Sequence, residues 1–225
     1  MTRPVKTPRT YDASGRRAVA LARRRQVLDA ARDLFLDDGF SATTVAAIAR
    51  RAGVSAETVY KAFGGKRGLI EALYRQALLG SDPVPAEHRS EVLRRHRDPH
   101  DIIRGWSRLS MEVAPLVTSI HLLVRDASLV DRRLRSLLAD LDDHRLARMT
   151  ENARFLDEAG HLRPGVPARA AADLMWTVTS PELVELLVHR RGWSLEQYAD
   201  FVEQSLAGAL LRPAGDRSPR PDGQA

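Results

Sequence analysis

The stretch from Thr43 to Leu69, TTVAAIARRAGVSAETVYKAFGGKRGL, decides the fold of the chain. Its apolar residues recur at helical spacing on both sides of Gly53, which predicts two short amphipathic helices joined by a tight turn. Thr43 or Thr44 is placed to cap the first of these helices, and Ser55 is placed to cap the second. The spacing therefore predicts a helix-turn-helix unit.

The second of these helices combines an apolar face with a polar one. Val59 and Phe63 are expected to point inward, which leaves polar side chains free to reach base edges and phosphates. We therefore expect this helix to enter the major groove of DNA. The candidate DNA-binding residues are Thr44, Ser55, Ala56, Glu57, Thr58, Tyr60, Lys61 and Lys66.

A simpler structural role is open to most of these candidates. Thr44 and Ser55 could serve only as helix caps, and Glu57 could merely complement the positive end of the helix dipole. Tyr60 could be half-buried in the core, and the two lysines could be solvated surface charges.

Charge is spread unevenly along the 225 residues, whose net charge is +6. Residues 1–67 contain 14 Lys and Arg against 6 Asp and Glu, whereas residues 68–225 contain 21 against 23. The basic excess coincides with the predicted helix-turn-helix and indicates binding to a polyanion. An arginine-rich composition with a solvated tail is the alternative explanation.

Some kinds of site and location are disfavoured by what the sequence lacks. There is no cysteine, so disulfides, thiolate catalysis and Cys-ligated zinc are excluded. The longest apolar runs are too short to span a bilayer, and the first twenty residues lack the apolar stretch of a signal peptide. We therefore expect a soluble, cytoplasmic protein with no membrane partner.

Nearly all of the chain between its two ends is predicted to be helical, so the expected fold class is all-α. Residues 1–17 are predicted to be a disordered basic arm, and residues 213–225 a disordered tail. A three-helix head with the helix-turn-helix is expected over residues 18–80. Residues 81–212 are expected to form a C-terminal helical domain.

The periodicity also predicts individual helices. The first runs from about Arg16 to Asp38 and stops at Gly39. In the C-terminal domain, Ser81–Glu87 is expected to be a linker, and Pro181 is expected to kink its helix. The helices expected there cover about 99–113, 115–127, 129–159 and 168–191, with a last one beginning at Ser194.

The last helix carries clear local signals. Ser194 and Gln197 form a capping box, and Trp193 with Tyr198 fits a hydrophobic staple. Its apolar residues recur at i, i+3, i+4 and i+7, which makes a wide stripe that needs a partner surface.

The chain resembles the tetracycline-repressor-like (TetR) family of transcriptional regulators. Spacing and residue type agree over about 27 positions, and the preceding segment from Val27 to Phe40 is similar to the first helix of the family. Arg67 departs from the pattern, because many relatives carry an acid there. The C-terminal stretch from Leu162 to Leu211 resembles the ends of the ligand domains of a subset of the family. The matching residues of the signature are Thr43, Val45, Ile48, Ala49, Ala52, Gly53, Val54, Ser55, Val59, Tyr60, Phe63, Lys66 and Leu69.

The resemblance implies a homodimer in which the last two helices of each copy pair as a four-helix bundle. It also implies that the middle helices enclose a pocket for an unidentified small-molecule effector, and that effector binding releases the protein from double-stranded operator DNA. Dimer-interface candidates are Val184, Val188, Tyr198, Phe201, Val202, Ser205, Leu206 and Ala209. Effector-pocket candidates are Trp106, Met111, Ile120, His121, Val124, Arg125, Met149 and Trp176.

The pocket candidates could instead be ordinary core residues. Arg125 could pair with a neighbouring carboxylate, and His121 could be a core histidine whose hydrogen bonds are satisfied. Pocket-lining residues and ordinary core residues would give the same apolar pattern in the middle helices, so both interpretations stay open.

Two other functional classes compete with a ligand-responsive repressor. An all-helical enzyme is disfavoured, because the seven histidines are scattered and no phosphate-binding or nucleophile motif appears. We therefore expect no catalytic residue, no metal and no cofactor. An effector-independent dimeric DNA-binding protein is disfavoured by the long helical region that follows the head, because dimerisation alone needs only two helices.

Overall fold

The computed structural model describes residues 13–212, and this part of the chain is helical apart from turns and one isolated bridge between Leu162 and Leu211. The expected all-α class is confirmed. Residues 1–12 of the predicted arm and the predicted tail at 213–225 lie outside the described residues. Residues 13–17, which were expected to belong to the disordered arm, are helical instead.

The described helices are α1 (Ala13–Ala42), α2 (Val45–Arg51), α3 (Ala56–Phe63), α4 (Lys66–Ala77), α5 (Ala86–Leu93), α6 (Pro99–Ser128), α7 (Arg132–Glu158), α8 (Ala168–Val178), α9 (Pro181–Val184), a π-helical segment (Glu185–Arg190) and α10 (Leu195–Leu210). The chain divides into two compact units between Ala72 and Leu73, within α4. The sequence places this boundary after residue 80.

The first unit is a small helical head built around α1. Gly39 interrupts the helical conformation of α1 with φ 80° and ψ 166°, so the regular helix ends where the sequence predicts. After this break the Phe40 ring stacks on Phe35, with centroids 5.6 Å apart. The centre of the head is fully buried and apolar, and its most enclosed side chains are Ala31, Phe35, Ile48, Val59, Leu69 and Ile70.

The second unit has one apolar core between α6, α7, α8 and α10. α6 is a single helix of 30 residues that contains Pro115, whereas two helices were expected on either side of residue 114. Pro115 has no backbone N–H and leaves one helical hydrogen bond unmade. The helix continues there because its neighbours Ala114, Val117 and Thr118 are buried. α5 lies where the sequence predicts no helix, and Ala86 and Ser90 are its buried residues.

Proline also shapes the C-terminal helices. α8 ends at Val178, and Ser180 caps a new short helix with Pro181 at its first position, so the predicted interruption occurs. The capping box of α10 is confirmed: Gln197 N donates to Ser194 Oγ at 3.2 Å, and Ser194 N donates to Gln197 Oε1 at 2.8 Å. The Trp193 ring packs edge-on against Phe201, and its predicted staple contact with Tyr198 stays a prediction.

None of the helices within residues 13–212 has both the length and the apolar character needed to span a lipid bilayer.

Candidate nucleic-acid interface and effector region

The turn between α2 and α3 has the geometry of a helix-turn-helix. Thr44 caps α2 by accepting a hydrogen bond from Ala47 N at 3.1 Å. Gly53 takes a φ of 65°, a conformation that favours glycine. Ser55 then caps α3, accepting from Thr58 N at 3.1 Å. Both cap predictions hold, and Thr43 is buried, with its hydroxyl donating to Gly39 O at 2.8 Å.

α3 presents a polar surface on a rigid base. Val59 is fully buried and fixes the helix on the head. Tyr60 is 56% exposed, so the alternative that it belongs to the core is wrong. The side chains that α3 and its cap bring together in solvent are Ser55, Glu57, Thr58, Tyr60 and Lys61, with Ala56 half-buried beside them.

These exposed groups differ in what they can recognise. The Thr58 and Tyr60 hydroxyls can donate to or accept from a base edge or a phosphate, and the Lys61 ammonium can pair with a phosphate. Thr58 Oγ1 lies 2.9 Å from Ser55 Oγ, so the cap also orients this hydroxyl. Glu57 lies in the first turn of α3, where its charge complements the helix dipole.

Lys66 has a different position from the other candidates. Its ammonium donates to Phe40 O at 2.6 Å and to Thr43 O at 2.9 Å, and it lies 4.1 Å from the centre of the Phe40 ring. It therefore ties the start of α4 to the end of α1. The geometry gives Lys66 a structural role, because a phosphate contact would require these internal hydrogen bonds to open.

Sequence reasoning missed Arg24 of α1. Its guanidinium lies 4.4 Å from the centre of the Phe63 ring, and Nη1 donates to Ala62 O at 3.4 Å. Both partners belong to the last turn of α3. Only the helical spacing of α1 carried a hint of this contact, because Arg24 lies one helical turn before the buried Leu28.

In the second unit, several effector-pocket candidates are core residues. Ile120 and Val124 are buried on α6, Met149 packs on the apolar core, and Met111 is half-buried. Trp106 is buried, with Nε1 donating to Ser90 O at 3.1 Å.

Arg125 is paired with carboxylates, as the alternative reading expected. Its guanidinium donates to Glu185 at 2.8 Å and to Asp126 at 3.0 Å. Hydrogen bonds from Arg125 and Arg190 lower the pKa of Glu185 to about 2. The pair joins α6 to the π-helical segment.

A polar cluster lies around His121, which is almost fully buried. Its Nε2 lies 3.8 Å from Asp142 Oδ1 and 3.6 Å from Glu182 Oε1. Burial nevertheless lowers the pKa of the imidazole, against the two carboxylates, which favour its charged form. Arg145 lies 3.6 Å from Asp142 and stacks on Trp176 at 5.3 Å from the ring centre.

Among the described residues, seven buried side-chain atoms of the second unit have no hydrogen-bond partner. Three of them lie at or near this cluster: His121 Nδ1, Trp176 Nε1 and the Tyr74 hydroxyl. Burial raises the pKa of Tyr74 to about 12, so this hydroxyl stays protonated and can donate. Buried polar groups in proteins normally have partners, which makes these atoms candidate ligand contacts.

A shallow cavity of about 290 Å³ lies at the start of α10, lined by Trp193, Gln197, Asp200, Phe201 and Gln204. No effector-pocket candidate lines it, but it contains Phe201, one of the dimer-interface candidates. The assignment of the eight pocket candidates therefore stays a prediction.

Half of the dimer-interface candidates are misplaced. Val184, Tyr198, Val202 and Leu206 belong to the apolar core of the chain's own second unit, and the Tyr198 hydroxyl donates to Val178 O at 3.0 Å. The stripe of α10 packs against α6 and α8, so its partner surface lies within the chain. Val188, Phe201 and Ser205 are half-buried and Ala209 is exposed, so these four stay predictions.

Comparison with known proteins agrees with this geometry. Residues 27–73 match the family model of bacterial regulatory proteins of the tetR family. The chain is 27% identical over 184 residues to the HTH-type transcriptional repressor AcnR of Corynebacterium diphtheriae, which covers 82% of this chain and 91% of AcnR. It is 40% identical over 76 residues to the HTH-type transcriptional regulator BetI 1 of Chromohalobacter salexigens, a match to 34% of this chain and only 38% of that relative.

Solved structures share the fold. The SmeT–triclosan complex has a TM-score of 0.69 at 20% identity and covers 91% of this chain and 98% of its own. NalD, the secondary repressor of the MexAB-OprM multidrug efflux pump in Pseudomonas aeruginosa, has a TM-score of 0.65 at 23% identity, covering 86% of this chain and 99% of its own.

The family match lies on the helices whose caps, turn and exposed polar face were derived above, and the named relatives are regulators, not enzymes. The chain is a DNA-binding transcriptional regulator, and its residues 27–73 match the tetR family of bacterial regulatory proteins.

Proposed function

We propose that the chain is a homodimeric repressor that binds operator DNA through α3 of each copy and is released by a small molecule bound in its second unit. The observation that carries the DNA-binding half is the polar face of α3, which is exposed while Val59 anchors the helix from behind. Two relatives, AcnR and Rv1474c of Mycobacterium tuberculosis, are named repressors, which supports repression.

The residues of the interface have separate roles in this proposal. Thr58 and Ala56 lie at the start of α3 and face base edges, where an oriented hydroxyl and a methyl group can discriminate between bases. Tyr60 and Lys61 bind phosphates and set the register of the helix. Thr44 and Ser55 hold the helix starts, and the amide groups of those first turns are available to phosphates.

Dimerisation follows from the need to reach two half-sites, which lie about 34–36 Å or a multiple of that apart on DNA. The surface we propose combines the exposed side of α10 with the π-helical segment. Phe201, Val188, Ser205 and Ala209 lie there, and Leu186 adds an apolar side chain that is 46% exposed.

The effector half of the proposal rests on the buried polar cluster. His121 Nδ1, Trp176 Nε1 and the Tyr74 hydroxyl are polar groups among apolar helices, which is the usual composition of a small-molecule site. SmeT, one of the solved structures with a similar fold, forms a complex with triclosan. To release DNA, the effector must bind the conformation that does not fit the operator more tightly than the one that does.

A selection experiment tests the proposal. The full chain is incubated with a pool of random duplexes, bound DNA is recovered and sequenced, and the enriched site is titrated with and without candidate apolar small molecules. We expect an enriched site with two related half-sites, bound by a dimer. A monomeric protein that enriches no sequence would contradict the proposal.

We also propose that the protein acts in the cytoplasm, because a bacterial chromosome lies there.

A further inference from the structure

The N-terminal part of α1 extends beyond the core of the head. Residues 17–26 are exposed, and burial begins at Val27 and Leu28. At 1.5 Å per residue, this exposed part is about 15 Å long. The described head therefore carries a helical extension that contributes almost nothing to its core.

The extension continues the row of α1 that faces the core. Positions 17, 21, 24 and 28 are spaced i, i+4, i+7 and i+11, so they lie on one side of the helix. Leu28 and, further along, Phe35 are buried members of this row. Before Leu28 the row contains Arg24, Leu21 and Arg17, all of them exposed. Arginine thus takes the place of core residues where the head no longer covers the helix.

Arg24 fixes this row against the recognition helix. Its guanidinium stacks on the Phe63 ring and donates to Ala62 O, in the last turn of α3. A cation at that end also complements the negative end of the α3 dipole. The exposed part of the row therefore starts beside the C-terminal end of α3. Arg17 lies about 10 Å from Arg24 along α1, towards its N-terminus.

The charge of the extension has one sign. Residues 17–26 contain four arginines and no acidic residue. The described side chains of Arg17, Arg23 and Arg25 are exposed, on the row and on both of its flanks. The guanidinium fork matches phosphate oxygens in pairs, so this surface fits a regular polyanion.

We propose that the exposed N-terminal part of α1 binds the DNA backbone outside the half-site read by α3, with Arg17, Arg23 and Arg25 on phosphates and Arg24 as the positioning residue. This inference rests on the proposed function, because it assumes that α3 lies on DNA. A distance of about 10 Å corresponds to about three base-pair steps of 3.4 Å, so the extension reaches phosphates that α3 itself does not contact.

The experiment compares two duplexes that carry the same enriched site. One ends two base pairs outside the half-sites, and the other continues for ten base pairs of arbitrary sequence at each end. Affinities are measured at several salt concentrations for the parent and for the triple variant Arg17→Ala, Arg23→Ala, Arg25→Ala. Alanine favours a helix, so the variant keeps the extension folded, which circular dichroism checks. The matched control replaces three exposed arginines of the second unit, Arg95, Arg97 and Arg108, with alanine.

We expect the parent and the control to bind the long duplex about tenfold more tightly at low salt than the short one, and the triple variant to bind both alike. We also expect the slope of log K against log salt on the long duplex to be shallower in the triple variant, by about 0.9 for each phosphate that the variant no longer binds.

Three outcomes would overturn the proposal. The first is a parent protein that binds the long duplex no more tightly than the short one. The second is a triple variant that keeps the full difference in affinity, and the third is a control variant that loses as much of this difference as the triple variant. In each case the parent still binds the short duplex, so the proposed function stands. A parent protein that binds neither duplex would contradict both this inference and the proposed function.

Discussion

α3 and α10 are built alike, yet they are used in opposite ways. Both are amphipathic, and both begin at a serine cap, Ser55 and Ser194. In α3 the apolar face is narrow, and the exposed polar face is the surface that we propose for DNA binding. In α10 the apolar face is wide and is buried in the core of its own chain. The pattern of an amphipathic helix shows that one face is covered, but it does not show what covers it.

Matched truncations in the two cores should have the largest effects. Ile48 of the first unit and Ile120 of the second are both almost fully buried. Ile48→Ala and Ile120→Ala should each lower the free energy of unfolding by about 2–5 kcal/mol, through reduced burial and a new cavity. Urea unfolding followed by circular dichroism measures the change. Equal stability of either variant and the parent would show that the assigned core is wrong.

The two lysines of the head should separate stability from DNA contact. Lys66→Ala leaves two carbonyls without their charged donor and should cost about 1.5–3 kcal/mol. Lys61→Ala removes an exposed charge, so it should leave the unfolding midpoint unchanged and weaken binding to all duplexes similarly. Unfolding and DNA titration of both variants check this. The assignment fails if Lys66→Ala is as stable as the parent.

The two serine caps allow a direct comparison of α3 with α10. Ser55→Ala and Ser194→Ala should each cost about 1 kcal/mol, because each leaves an amide at a helix start without its acceptor. Only Ser55→Ala should also change DNA affinity, since Ser55 orients Thr58. If the Ser194→Ala variant lost as much affinity at equal stability, the special role of α3 would be refuted.

The smallest expected effect concerns pH and the buried His121. Because burial lowers its pKa in the folded protein, the unfolded chain binds more protons below the usual pKa of about 6.5. Above that pH, His121 therefore has almost no effect on the free energy of unfolding. As the pH falls through that value, His121 lowers the free energy of unfolding, by at most about 0.8 kcal/mol between pH 7.5 and 6.

His121→Gln should remove this destabilisation. Asp142 and Glu182 face the imidazole and favour its charge, while Arg125 and Arg145 oppose it. Urea midpoints at the two pH values, for parent and variant, measure the difference. A parent that gains stability on acidification relative to the variant would reverse the assigned sign.

The head could be predicted from the sequence because its determinants are local. The caps at Thr44 and Ser55 and the left-handed Gly53 lie within a dozen residues and act on their neighbours. What the sequence could not show was the long-range use of side chains. Lys66 bonds to carbonyls 23 and 26 positions away, and Arg24 contacts a carbonyl 38 positions away.

The second unit was harder to predict for the same reason. Its helix count was wrong around Pro115, because burial of the flanking side chains outweighs the missing hydrogen bond. The stripe of α10 was assigned to a second subunit, although α6 and α8 cover Val202 and Leu206. The exposed side chains on that helix are the ones that a dimer can still use.

The salt dependence of operator binding tests the central claim most directly. The full chain is titrated onto its enriched duplex between about 50 and 200 mM salt, with Tyr60→Phe and Lys61→Ala as comparisons. If α3 and its basic surroundings lie on DNA, affinity falls steeply, with a slope equivalent to several phosphate contacts, and Lys61→Ala makes the slope shallower. An affinity that stays constant over this range, in the parent and in both variants, would contradict the account.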